Sequence, residues 1–366
     1  MGVGMYIHRL APPRPPNYTF RRSIPSHFSS HPGSFLLYFY CPVSWRHRRP
    51  GQKYPVIINF HGGGFTIGNA CDDTRWAAAV VSQVSAVVVS VDYRLAPEHP
   101  FPTAVKDGVE ALLYLSEHAD ELGLDVQNFA VSGFSAGGNM AFSVPLRLQA
   151  EVLASQKGRD ADTNSVYSGR EVFGEVTAGT IKAIVAWYPS VDFTRPRAER
   201  EAIPKRPDLM MPKFFTDLFD ASYLSPPTLD YSSPYLSPGL APAELLRGLP
   251  DSIMIYTCEY DGLSVEAASF RKRLEDEIGK TVRWKEVEGV PHAWDKSPNP
   301  FGTPVKVDEY YRDACDALRL AFGQGVGTSS SVDVVGDGQV RGEGDERKRY
   351  EVDETGLNED DPPNGV

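Results

Sequence analysis

The sequence predicts an α/β fold, with a mostly parallel central sheet covered by helices on both faces. Short apolar runs rich in β-branched residues recur along the chain. Between them lie longer segments whose apolar residues fall at helical spacing. A strand buried on both faces reads as a continuous apolar run, and parallel neighbours need a helical crossover. With 366 residues, the chain is long enough to bury a substantial core.

Tyr54–Phe60 (YPVIINF) and Ala86–Asp92 (AVVVSVD) are the first predicted core strands, with a helix over Asp72–Ser85 between them. Thr103–His118 places Val105, Val109, Leu112, Leu113 and Leu115 mostly on one helical face. Asn128–Phe134 reads as a strand and Ala136–Glu151 as the helix after it. Further strands are predicted over Ile181–Tyr188, Ser252–Cys258 and Val282–Val287, with helices over Leu263–Ile278 and Val305–Phe322. Thr19–Trp45 is richer in aromatics and turn residues and is expected to add antiparallel strands at one edge.

Three stretches interrupt this alternation. Residues 155–179 are polar and read as an exposed insertion. Residues 193–250 are rich in Pro and aromatics and too long for a simple loop, so part of a lid or cap is expected there, with a helix over Pro212–Tyr223. Residues 323–366 are Gly/Ser-rich and then charged, and are expected to be a disordered acidic tail behind a catalytic domain spanning residues 1–322.

The composition is that of a soluble globular protein, 41% hydrophobic and 23% charged. Much of the net charge of -11 belongs to the tail, where residues 331–366 hold eleven Asp and Glu against four Lys and Arg. No basic face suggests nucleic acid as a partner. The N-terminal residues lack the apolar stretch of a secretory signal, and no run of about 18 apolar residues is present to span a bilayer. A cytoplasmic location is the expectation. Cys41, Cys71, Cys258 and Cys315 are widely spaced, which suggests reduced thiols rather than a disulfide framework or zinc site.

The chemistry concentrates at a few points. Gly133-Phe134-Ser135-Ala136-Gly137 is a G-x-S-x-G pentapeptide between a predicted strand and a predicted helix. In that context the serine sits on a sharp turn at the carboxyl end of the sheet, where its hydroxyl is exposed as a nucleophile. Upstream, Asn59–Gly68 (NFHGGGFTIG) follows a core strand. Consecutive glycines allow backbone amides to turn inward towards an oxyanion, and each such donor is worth roughly 3–4 kcal/mol in a well-studied case. Gly62 and Gly63 are the expected donors, together with the amide of Ala136. His61 opens this loop and is expected to be structural.

Hydrolases with this serine motif order their triad as Ser, acid, His along the chain. His292 is the only histidine after His118 and follows the last predicted strand. Asp261 follows the strand before it and is the expected acid, with Glu259 and Asp192 as alternatives. Trp187, Tyr188, Phe193, Phe214, Phe215, Phe219 and Tyr223 are candidates to line an apolar pocket, at least half of them expected to be ordinary core.

His61–Phe65 (HGGGF), Val91–Pro102 (VDYRLAPEHPFP) and Gly133–Ala141 (GFSAGGNMA) together resemble the hormone-sensitive-lipase-like esterases of the α/β-hydrolase fold. The resemblance covers roughly residues 50–322. It implies a helical cap, hydrolysis of small-molecule carboxylic esters with Ser135, Asp261 and His292 as triad, and no cofactor or metal. It also implies a scaffolding role for Arg94 and Glu98. The sequence departs from the family where Phe134 stands at a commonly acidic position. Its short, Pro-rich N-terminal segment, residues 1–50, suggests an incomplete cap and a more open pocket. An amidase or acyltransferase with the same nucleophile, or a non-catalytic binding protein on this fold, are the alternatives. The protein is expected to be a monomer or homodimer.

Overall fold

In the computed structural model, residue 11 and residues 14–28, 32–157, 179–196, 199–200, 206–297, 301–302, 304 and 306–325 are described. The chain divides into two compact units, Met1–Val326 and Gly327–Val366, and every described residue belongs to the first. Its centre is an eight-stranded sheet: β1 (Phe20–Ser26), β2 (Gly33–Tyr40), β3 (Tyr54–Phe60), β4 (Val87–Asp92), β5 (Leu124–Phe134), β6 (Ile181–Trp187), β7 (Ser252–Tyr260) and β8 (Thr281–Pro291). The spatial order is β1-β2-β4-β3-β5-β6-β7-β8. β1 and β2 pair antiparallel at one edge, as expected from their turn-rich sequence, and all pairs from β4 to β8 are parallel.

Period-two alternation sends side chains to two separate cores. In β3, Val56, Ile58 and Phe60 face one side and Ile57 the other, all fully buried. The first side packs against α2 (Thr103–Glu117), α3 (Ala136–Lys157) and α5 (Ser264–Asp276) through Val105, Leu112, Met140, Val144 and Phe270. The second side packs against α1 (Thr74–Val84) and α6 (Val307–Ala321) through Trp76, Val80, Tyr311 and Leu318. Each such large side chain stabilises the fold by about 1.5–3 kcal/mol when removed from water. α4 (Lys213–Tyr223) lies within the long segment between β6 and β7.

Several boundaries differ from the sequence reading; among them, α3 runs to Lys157 rather than ending at Glu151, and β7 to Tyr260 rather than Cys258. β5 begins at Leu124 rather than Asn128, because Asp125, Gln127 and Asn128 give its outer end a polar, loop-like appearance. There Asp125 accepts a hydrogen bond from the Asn128 side chain, and the register against β3 shifts between Tyr54 and Val56. The helix expected from Asp72 starts at Thr74, after a separate 3-10 turn over Ala70–Asp73 capped by Asn69 and Asp72. β8 runs on to Pro291. Most of the polar insertion at 155–179, nearly all of the tail and the first ten residues lie outside the described residues.

None of the four cysteines forms a disulfide. Among the described residues, no helix is long and apolar enough to cross a membrane.

Candidate active site

The parallel register brings the carboxyl ends of the central strands to one rim. Phe60 pairs with Gly133, Phe134 with Trp187, and Tyr260 with Pro291. The segments leaving β3, β5, β7 and β8 therefore meet there, as expected for a site on an open α/β sheet.

Ser135 occupies the single residue between β5 and α3, with φ of 54°. That left-handed conformation is strained for a residue with a side chain. It is held by the Ser135 N–H donating to the Trp187 carbonyl at 2.9 Å and by its own carbonyl accepting from Asn139 N–H at 3.0 Å. Gly133 and Gly137 make the turn possible. A Cβ on Gly133 would overlap the Gly137 carbonyl, and one on Gly137 would overlap the Phe60 carbonyl. The N-terminus of α3 begins at Ala136, so its partial positive charge lies beside the serine.

His292 Nε2 lies 2.9 Å from Ser135 Oγ, and His292 Nδ1 lies 2.7 Å from Asp261 Oδ2. The carboxylate can only accept, so Nδ1 carries the proton in the neutral ring and Nε2 faces the serine hydroxyl as an acceptor. Asp261 is 5% exposed, and its other oxygen accepts from the Leu263 N–H at 2.9 Å, which fixes the carboxylate plane. The edge of the Tyr188 ring meets the imidazole, with centroids 4.7 Å apart. Of the alternative acids, Glu259 accepts from Gly289 N–H, and Asp192 from the Thr194 amide and hydroxyl.

The glycine loop approaches the serine directly. A Cβ on Gly62 would stand 3.5 Å from Ser135 Cβ. Gly63 has a φ of 114°, a conformation that side chains rarely adopt. His61 is fully buried below this loop, its ring stacked on Tyr93 with centroids 4.2 Å apart and its Nδ1 donating to the Gly62 carbonyl at 2.7 Å.

Two buried ion networks support the rim. Arg94 binds Asp107 on α2 through Nε at 3.0 Å and a terminal nitrogen at 2.6 Å, and also donates to Ser26 Oγ. This fits the scaffolding role implied by the family resemblance. Glu98 does not share it: its side chain is exposed and it forms no ion pair among the described residues, because Asp107 supplies the carboxylate that Arg94 meets.

The second network has no counterpart in the sequence reading. Lys296 Nζ lies 2.8 Å from Asp73 and 3.0 Å from Asp295, and 3.8 Å from the centre of the Phe134 ring. Tyr188 and Tyr311 donate to the two oxygens of Asp295 at 2.5 and 2.6 Å, and Asn59 donates to Asp73 at 2.8 Å. Burial opposes ionisation of Asp295, but Lys296 and the two hydroxyls outweigh it and hold its carboxyl below the ordinary range. Lys296 is likewise held charged: desolvation opposes its charge, and the two aspartates more than offset it. For Asp73 burial wins, and its carboxyl is raised.

A cavity of about 990 Å³ opens over Ser135 and His292. Phe65, Ile67, Met210, Phe215, Phe219 and Leu263 give it a largely apolar wall, and Asp72, Asp73 and Lys296 lie at its polar part. Five of the seven candidate aromatics line it: Tyr188, Phe193, Phe215, Phe219 and Tyr223. That exceeds the expectation, since α4 contributes three of them. Trp187 is core, and Phe214 is 71% exposed on the far side of α4.

A mostly parallel sheet with a serine on a strand–helix turn, facing a histidine and an aspartate from later strands, defines a hydrolase-type framework. The chain belongs to the alpha/beta hydrolase fold family, which residues 57–296 match, and within it to the hormone-sensitive-lipase-like esterases. It is 33% identical over 254 residues to the carboxylic ester hydrolase LipN of Mycobacterium tuberculosis, covering 68% of this chain and 60% of LipN. Identity to the carboxylesterase NlhH of the same organism is 33% over 227 residues, 61% of each chain. The aligned part thus spans about three-fifths of these relatives' length. Among solved structures, an esterase from Pyrobaculum calidifontis superposes with a TM-score of 0.62 at 27% identity. An ester-hydrolase from the metagenome of Lake Arreo superposes with a TM-score of 0.68 at 26% identity. Each match covers 88% of this chain and 89% of the other.

Proposed function

We propose that the protein is a serine carboxylesterase acting on small to medium acyl esters through an acyl-enzyme. The hydrogen-bonded series from Asp261 through His292 to Ser135 is the observation that carries this reading. In it, His292 takes the Ser135 proton as Oγ attacks the ester carbonyl, forming a C–O bond and a tetrahedral oxyanion. Asp261 holds the Nδ1–H tautomer and stabilises the imidazolium. The amides of Gly62, Gly63 and Ala136 receive the oxyanion, supported by the approach of Gly62 to Ser135 and by the helix start at Ala136. His292 then protonates the leaving alcohol, and water releases the acid by the same steps in reverse. None of these steps calls for a metal or organic cofactor. The segment over residues 193–250 serves as a partial cap, and its apolar wall receives the carbon chain of the ester.

The test is hydrolysis of p-nitrophenyl esters of increasing acyl length by the parent and by Ser135→Ala, with folding checked by circular dichroism. The expected result is turnover by the parent and a loss of roughly 10⁴-fold or more in the variant. Equal rates in the two proteins would overturn the assignment of Ser135.

A further inference from the structure

The glycine loop follows an unfavourable backbone path. Gly63, Gly64 and Phe65 are consecutive residues with positive φ, at 114°, 60° and 60°. A bulky residue such as Phe65 rarely adopts that conformation, and such a path persists only where neighbours impose it. On one side the neighbours belong to the sheet rim. The Tyr93 hydroxyl donates to the His61 carbonyl at 2.8 Å, and the Ala96 amide donates to the Phe65 carbonyl at 2.9 Å.

On the other side the neighbour is α4. The Tyr223 ring lies flat on the Phe65 ring, with centroids 3.8 Å apart and planes 4° apart. Both side chains are buried. One turn earlier, Phe219 occupies the space where a Cβ on Gly64 would be, so its ring rests on the loop backbone itself. The carboxyl end of α4 is tied down, because the Phe101 amide donates to the Tyr223 carbonyl at 3.2 Å. The amino end is held differently. Phe214 and Leu218 point to solvent, while Phe215 and Phe219 face the cavity. The helix therefore has one end seated on the loop and an earlier span whose inner face lines the cavity.

We propose that α4 senses the apolar group of the substrate and reports it to the oxyanion loop. This rests on the esterase reading above. An ester whose hydrocarbon part reaches Phe215 and Phe219 packs on the cavity side of Phe219 and holds it where it already rests, against Gly64, which keeps the amides of Gly62 and Gly63 fixed for the tetrahedral state. Phe219 and Tyr223 are then positioning residues, and the preferred substrates are esters with an apolar group long enough to reach the helix. The effect falls on kcat, because the amides are needed more in the transition state than in the bound ester. A residue that only lined the pocket would act on KM.

The experiment uses two ester series, one lengthened on the acyl side and one on the alcohol side, with the parent, Phe219→Ala, Tyr223→Leu and Tyr223→Phe. For the parent, kcat should rise with length in one series. In Phe219→Ala that rise should vanish, with kcat for the longer esters at least tenfold lower on top of whatever rise in KM the lost wall brings. Tyr223→Leu should behave alike, and Tyr223→Phe, which keeps the stacked ring, should restore the parent values. A trifluoromethyl ketone, which forms a tetrahedral adduct, should bind more weakly to Phe219→Ala, whereas the matching methyl ketone should not. If Phe219→Ala fails to fold, Phe219→Leu replaces it, with the same signs and smaller size. Raised KM with unchanged kcat in Phe219→Ala would overturn the proposal while leaving the esterase reading intact. A parent that hydrolyses no ester and takes no phosphonate label at Ser135 would instead remove the reading on which it rests.

Discussion

At the scale of single residues, Ser135 carries strain that its position demands. Its left-handed backbone costs a residue with a Cβ about 1–2 kcal/mol relative to glycine. Ser135→Gly and Ser135→Ala both remove the hydroxyl, yet they differ in this strain. Ser135→Gly is expected to unfold at the higher temperature, by roughly 1 kcal/mol of stability, while both are equally inactive; paired thermal melts check this. The position of Ser135 was legible because a G-x-S-x-G between strand and helix has few other uses. That Asp261 and His292 would meet beside Ser135 was legible because their chain order and strand ends left little competition. Glu98 misled, since a motif names residues without showing which carboxylate an arginine meets, and here that is Asp107.

At the scale of elements, the segment after β8 is fixed by charge rather than by regular structure. It carries His292, Asp295 and Lys296 within five residues, and Lys296 binds both Asp295 and the distant Asp73. Replacing Lys296 with Met would leave two buried carboxylates without their cation. A loss of about 3–5 kcal/mol of stability is expected, measured by urea unfolding at neutral pH. Restoring balance with Asp73→Asn in the same chain should recover part of that loss. This network was illegible in the sequence, because Asp73 precedes Lys296 by more than half the fold and neither lies in a recognisable pattern. The strands were the reverse case. β3, β4, β6 and the apolar part of β5 announce themselves by composition, whereas the polar first turn of β5 and the exposed length of β8 do not.

At the scale of the whole molecule, one buried carboxyl joins three parts of the fold. Glu266 on α5 accepts from the Val191 amide beyond β6 at 2.8 Å and pairs with Arg200 of the segment before α4 at 3.0 Å. Burial raises its carboxyl to about 7, despite Arg200 and the two amides that favour the charge. The folded protein thus holds this proton more tightly than the unfolded chain, where the ordinary value is 4.5. Its contribution is fully present below pH 4.5 and declines as the pH rises through about 7. The size is on the order of 3 kcal/mol. Urea midpoints of the parent measured between pH 4.5 and 8 should fall accordingly, after comparison with Glu266→Gln, which lacks that proton and should lack that part of the slope.

The strand order also governs how the molecule comes into being on the ribosome. From β5 onward each new strand joins the outer edge of the one before it. A nascent chain that has made β6 or β7 but not its successor presents an apolar ribbon with unpaired backbone groups, a template for self-association. β8 ends that exposure. Arg283, Lys285, Glu286 and Glu288 give it a charged outer margin, and β1 closes the opposite edge with Arg21 and Arg22. The strand that leads into His292 is thus also the one that closes the growing sheet with a charged margin.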